Sequence, residues 1–239
     1  MTAFILPTLI FPDQDGLKKD IERIAALGAD GIEVRRERLT SMPSAELLRQ
    51  ATDQIQSLHL QPVIYSAPAD FWQEGSLNPN LSVYASEANC LGADWLKLGL
   101  GNMPDEVDTA ALKRQLLKLP CRLLLENSQL ALRGGTAKSF VRFFRELPAG
   151  VAAMTFDTGN WQTVGESTEE AYAMLKKYIA YVHIKAVKKT KNGWISCPAQ
   201  PEDDWFSCSR HHDMAAVEFP MQHPEKEGKF WLSQLRGEK

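Results

Sequence analysis

Six stretches of the chain alternate apolar and polar residues with the period of two that marks a half-buried strand: 31–35, 95–101, 122–128, 154–159, 181–187 and 215–220. Ile32 and Val34, Leu96 and Leu98, Leu123 and Leu125, Val182 and Ile184, and Val217 and Phe219 fall on one face. The opposite face carries Glu33, Arg35, Lys97, Glu126, Asp157, His183, Lys185 and Glu218. Strands buried on both sides are normally apolar on both. A repeated charged face therefore predicts a wet, charged or metal-holding interior, because an isolated buried charge costs several kcal/mol.

Between these runs lie stretches with helical spacing: 15–29, 43–58, 78–93, 108–119, 135–147 and 167–179. Leu17, Ile21, Ile24 and Leu27 recur at the three/four interval of one buried helix face. Asp15 and Ser167 are expected as N-caps, and Gly28 and Gly92 as C-terminal stops. Two further apolar runs, 4–10 and 61–67, bring the strands to eight. Strict β-α alternation over 239 residues predicts a single (β/α)8 TIM barrel, one domain over 1–239. The first strand is followed by Phe11-Pro12-Asp13-Gln14-Asp15-Gly16, without the glycine fingerprint of a doubly wound dinucleotide fold. The pattern weakens over 188–214, where only 202–210 reads as helical, so the seventh helix is expected to be short or irregular.

Charge narrows the partners. Lys and Arg number 27 against 30 Asp and Glu, a net charge of −3, which gives no electrostatic footprint for nucleic acid or an anionic membrane. The basic group Lys185, Lys188, Lys189 and Lys191 reads as a local solvated loop. The apolar start is broken by Pro7 and Pro12 and lacks a basic leader segment, and no run reaches the roughly 18 residues of a membrane helix. A cytoplasmic protein with reduced cysteines is expected, and a homodimer is compatible with the sequence.

Glu126, Asp157, His183 and Glu218 end four successive strands, separated by 31, 26 and 35 residues, each about one βα unit. The C-terminal strand ends of such a barrel surround the active site. Three carboxylates and an imidazole meeting there require a cation. The oxygen-rich set suits Mn²⁺, Mg²⁺ or Co²⁺ better than Zn²⁺.

Leu123–Gln129, Phe156–Trp161, Tyr181–Ala186 and Ala216–Pro220 resemble the four metal-bearing strands of the xylose-isomerase-like sugar isomerase/epimerase family. Gly31–Glu37, Leu77–Leu81, Trp95–Gly101 and the Gly134-Gly135 loop are similar to one subgroup, the epimerase-like proteins encoded with 2-ketogluconate utilisation genes. The resemblance spans nearly the whole chain. It implies a metal-dependent isomerase or epimerase of a small sugar or sugar acid. It also implies Glu126, Asp157, His183 and Glu218 as metal ligands and Glu126 and Glu218 as the acid/base pair. The chemistry explains the residue types. A divalent cation beside two adjacent oxygens stabilises the enediolate left by α-proton removal. Carboxylates from strands three apart face opposite sides of the sugar. Lys97, Lys185, Asn160, Trp72 and Trp161 are the expected substrate contacts.

The chain departs from the family at three places. Many members read His-x-Lys-Asp on strand seven, where this chain has His183-Ile184-Lys185-Ala186. Ketose 3-epimerases place a His at the position of Asn160 and a second Glu at the position of Leu132.

Plainer readings stand beside these. Glu33 and Arg35 form an ion pair or close the barrel; Lys97 neutralises Glu126 or Asp157; His183 is a satisfied core histidine; Trp72, Trp161, Trp194 and Trp205 are packing. Cys197, Cys208, His211 and His212 fit no standard zinc spacing. Two other functions use the same barrel. An apurinic-site endonuclease resembles a histidine-rich three-zinc site with a basic face, whereas only His183 of the five histidines here clearly ends a strand. A non-catalytic sugar-acid-binding barrel would take up ligand without exchanging its α-proton.

Overall fold

The eight expected strands form and close. In the computed structural model, which describes residues 1–39, 42–147 and 150–238, they are β1 (Ala3–Pro7), β2 (Gly31–Arg35), β3 (Val63–Gln73), β4 (Trp95–Gly101), β5 (Arg122–Glu126), β6 (Ala152–Asp157), β7 (Ile179–Ile184) and β8 (Met214–Val217). All neighbours are parallel, in the order β2-β1-β8-β7-β6-β5-β4-β3, and the β2–β3 pairing completes the ring. Helices follow each strand: α1 (Leu17–Leu27), α2 (Ala45–Ser57), α3 (Leu81–Cys90), α4 (Thr109–Leu116), α5 (Ala137–Glu146), α6 (Thr168–Leu175), α7 (Asp204–Ser209) and α8 (Pro224–Arg236). None of the described helices is long and apolar enough to cross a membrane.

Local chemistry sets the helix ends. Ser44, Asp108 and Ser167 side chains accept the N–H groups of Leu47, Ala111 and Glu170. Gly28 ends α1 in the left-handed region at φ 86°. Asp15 does not cap α1. Gly16 takes that position, and Asp15 pairs instead with Lys19.

The alternation of each strand divides two cores. Outward residues such as Ile32, Val34, Leu96, Leu98, Leu123, Leu125, Val182 and Val217 pack against the helices. The inward residues form layers. At the N-terminal end lies an apolar floor that includes Ile5, Ile64, Trp95, Tyr181 and Met214. Above it, the same faces carry Glu33, Lys97 and His183, and then Arg35, Glu126, Asp157, Lys185 and Glu218.

Two departures shape the top of the barrel. β3 runs past 61–67 to Gln73, through an irregularity between Ser66 and Asp70, and re-pairs with β4 as Asp70–Gly99 and Trp72–Gly101. The run 181–187 is split. β7 ends at Ile184, and Ala186–Thr190 pairs antiparallel with Gly193–Cys197, turning at Lys191-Asn192. α7 is short, as expected.

Candidate metal and acid/base site

Glu126 and Asp157 are the last residues of β5 and β6, His183 is the penultimate residue of β7, and Glu218 follows β8. Parallel register brings them together: Asp157 pairs with His183, and His183 with Ala216. One ligand atom from each of the four lies within 4.8 Å of the others. This is the only such group of acidic, His or Cys side chains found among the described residues.

Their environment decides what they can hold. His183 is fully buried. Its Nε2 lies 3.0 Å from Glu33 Oε2 and donates a proton there. With Nε2 committed to Glu33, Nδ1 faces Glu126 Oε1 at 2.8 Å and Glu218 Oε1 at 3.4 Å, carrying a proton toward them when the ring is charged and offering its lone pair when the ring is neutral. Beyond that contact, His183 Nδ1 and Glu126 Oε1 are buried without a hydrogen bond. Two buried acceptors facing each other need a proton or a cation between them. Opposite ligands of a hexacoordinate hard cation are separated by roughly 4–5 Å, so the spacing fits one divalent ion.

Glu33 is the residue that the sequence left in the background. It has no solvent exposure and takes three contacts: Tyr181 Oη donates at 2.9 Å, His183 Nε2 at 3.0 Å, and Lys97 Nζ lies 2.8 Å away. Arg35 is its weakest partner at 3.6 Å, and pairs more closely with Glu218 and Glu37. The local ion-pair reading of Glu33 and Arg35 is therefore secondary. Period-two phase places Glu33 inside, but its partners come from strands distant in sequence.

Lys97 is 1% exposed, and its ammonium also lies 3.2 Å from Glu126 and 3.7 Å from Glu218. It pairs with Glu126, one of the two carboxylates expected for it. Lys185 bridges Asp157 Oδ2 at 2.7 Å and Glu218 Oε2 at 2.8 Å. These cations set the ionisation of the two glutamates, whereas at Asp157 burial outweighs Lys185 and pushes the carboxyl up to about 7. Burial pushes the Glu218 carboxyl up, but Lys185, His183, Lys97 and Arg35 outweigh it and hold the group well below the usual carboxylate range. Burial likewise opposes ionisation of Glu126, and Lys97 reverses the balance and lowers its pKa. Both glutamates rest as carboxylates.

The charged layer opens into a cavity of about 230 Å³ lined by Arg35, Lys97, Glu126, Asn160, Lys185 and Glu218. Gln129 and Arg133 border it from the loop after β5. Asn160 reaches the cavity, but its amide also donates to the Asn127 carbonyl at 2.7 Å, tying β6 to β5. Trp72 lies one cavity further out. Trp161 does not reach the site. Its indole is fully buried against Phe140 and Phe156, so the substrate contact expected of it gives way to packing. Cys197, Cys208, His211 and His212 form no metal-type group among the described residues, and both His212 ring nitrogens are engaged: Nε2 lies 3.0 Å from Tyr172 Oη, and Nδ1 contacts the Ile179 carbonyl.

No protein-family model and no curated protein sequence matches the chain. Solved structures do match. D-psicose 3-epimerase from Clostridium cellulolyticum H10 superposes with a TM-score of 0.71 at 12% identity, over 99% of both chains. The probable 3-DHS dehydratase of petrobactin synthesis from Bacillus anthracis gives 0.71 at 14% identity, also over 99% of both. A xylose isomerase domain-containing protein from Salmonella typhimurium LT2 gives 0.70 at 16% identity, over 99% of this chain and 95% of that one. At these identities the likeness establishes the fold: this chain is a (β/α)8 barrel of the shape that sugar epimerases and a dehydratase share.

Proposed function

We propose that the protein is a divalent-metal-dependent isomerase or epimerase of a small sugar or sugar acid, with Glu126, Asp157, His183 and Glu218 holding the ion and Glu126 and Glu218 moving the α-proton. The observation that carries this reading is the pair of carboxyl groups on β5 and after β8, meeting in one four-ligand cluster beneath a cavity. When bound, a divalent ion supplies a Lewis acid that polarises a carbonyl oxygen. Glu126 and Glu218 then act from opposite sides: one accepts the α-proton as a carboxylate, and the other, having taken up a proton from water in the open cavity, gives that proton to the opposite face of the carbon and is left as a carboxylate. Lys97 and Lys185 stand beside them and offset the negative charge that develops. Glu33 fixes the His183 ring so that Nδ1 faces the cluster. The resemblance of the β2, β4 and 134–135 segments to the 2-ketogluconate-associated proteins favours a sugar acid.

The test is a screen of ketoses and sugar acids with the Mn²⁺-loaded protein in deuterated water. Deuterium entering one carbon adjacent to a carbonyl is the expected result. Binding of sugars with neither exchange nor conversion to an epimer or isomer would replace the enzyme reading with a binding protein.

A further inference from the structure

The inner cavity has a neighbour. A second cavity of about 520 Å³ adjoins it, and the two share Pro68, Ala69, Asp70 and Arg133 in their walls. Small-molecule sites usually occupy roughly 300–1,000 Å³, so the inner space of about 230 Å³ is small for a complete site. Between the cavities stands an ion pair, Arg133 Nε to Asp70 Oδ2 at 2.6 Å. Each charge is neutralised by the other, so the boundary is a polar threshold and not an anion anchor.

The outer wall is built by the extension of β3. After its irregularity β3 lies flat on the end of β4, where Gly101 sits at φ 78° and a Cβ would lie 2.0 Å from the Trp72 carbonyl oxygen. The Asn78 amide clips the Asp70 carbonyl at 2.7 Å, while its oxygen accepts the Asn80 N–H at 2.9 Å. These contacts place Trp72, Tyr84, Asn80 and Asn102 around one space.

The lining specifies a ligand class. Amides offer both donors and acceptors, which suits hydroxyl groups. Trp72 and Tyr84 add aromatic rings with a polar edge. Asp70 and Glu74 outnumber Arg133, so no positive surplus awaits a phosphate. We infer that the outer cavity is a second subsite for a neutral, hydroxyl-rich unit of glycosyl size, joined to the sugar or sugar acid in the inner cavity. The inference rests on the sugar-directed reading of the inner site, and it makes the substrate a glycosylated sugar rather than a free monosaccharide.

The test uses matched pairs that differ by one galactosyl unit: D-fructose against lactulose, and D-gluconate against lactobionate. Equilibrium binding to the Mn²⁺-loaded protein is measured by calorimetry, and α-deuteration is followed in parallel. In at least one pair the disaccharide should bind at least about tenfold tighter. Asn102→Trp, which fills the outer space from an exposed position, should bring that ratio close to one with an unchanged circular dichroism spectrum. Asn80→Ala, also at an exposed position, should reduce the ratio without added bulk. Disaccharides that bind no tighter than their monosaccharides, no binding by any of the four, or a ratio insensitive to both variants would overturn the subsite. Tight disaccharide binding without deuteration of any sugar supports the subsite and removes the isomerase/epimerase reading. Deuteration of monosaccharides without a disaccharide preference does the reverse.

Discussion

Glu33→Gln isolates the residue beneath the cluster. The substitution keeps the shape and removes one negative charge from a position with no solvent exposure. Tyr181, His183 and Lys97 all present donors to Glu33, at 2.9, 3.0 and 2.8 Å. A glutamine amide must point its own N–H donors at one of them. Removing one partner of a buried ion pair typically costs about 3–5 kcal/mol. Lys97 keeps Glu126 and Glu218 nearby, so the lower end, about 3 kcal/mol, is expected for the metal-free protein. Loss of the carboxylate that orients a metal-binding histidine typically weakens metal affinity about 10–100-fold. Burial raises the Glu33 pKa, but Lys97 and His183 prevail and hold it well below the ordinary value. Its contribution is thus complete at neutral pH and is lost as pH falls from the ordinary carboxylate range toward the depressed value. The variant should lack that segment of the stability profile. Urea denaturation at several pH values gives the first quantity, and Mn²⁺ calorimetry gives the second. The ¹⁵N shifts of His183 report whether Nε2 still carries the proton. An unchanged urea midpoint together with Mn²⁺ affinity within about twofold of the parent would refute the positioning role.

Three further outcomes are expected. Glu126→Gln and Glu218→Gln should each slow α-proton exchange by about two to four orders of magnitude. For an epimerase each variant should retain exchange with a different epimer; equal residual rates restored by excess metal would move the proton-transfer role to Lys97 or Lys185. Lys185→Met removes the ammonium between Asp157 and Glu218 and should cost about 3–5 kcal/mol in chelator, with Mn²⁺ stabilising the variant more than the parent protein, as calorimetric melting will show. An equal Mn²⁺ shift in both proteins would separate the lysine from the metal site. Burial and Lys97 lower the His183 pKa, but Glu218, Glu33 and Glu126 raise it well above the ordinary value, so Mn²⁺ must displace a proton. Affinity should rise from about pH 6 to 8, with proton release visible as a dependence on buffer ionisation enthalpy; a flat affinity with no release would exclude a protonated His183 in the metal-free site.

The barrel and its charged interior were legible because period-two phase is local information. Lys97, Glu126, Asp157, His183, Lys185 and Glu218 all face inward as their phase requires. What the phase could not give was the partner of each charge. Glu33 meets His183 and Tyr181 only because β2 and β7 curve around one barrel, 150 and 148 residues apart in sequence. The continuation of β3 was hidden by Pro68, which cannot donate to a ladder and sits at the irregularity. Trp161 falls just past a strand end, as a rim residue would, but a one-turn helix at Asn160–Thr163 turns it inward against Phe140 and Phe156. α8 went unread for a different reason. Its first two turns are dominated by charges around Gly228, and its buried face is completed only by Trp231, Leu232 and Leu235. Gly228 itself is a contact: a Cβ there would come within 2.8 Å of Leu27 on α1.

The apolar floor formed by Ile5, Ile64, Trp95, Tyr181 and Met214 makes the barrel a vessel with one opening. Any ligand and the solvent it displaces would use the same passage, so one molecule would have to leave before the next arrived. On the proposed function, a hydrogen lifted from a bound sugar would have no route out through that floor. While the passage is filled, that hydrogen would stay with the carboxylate that took it. The fraction of isotopic label handed back to the sugar, rather than lost to water, would then time how long the occupied vessel remains closed.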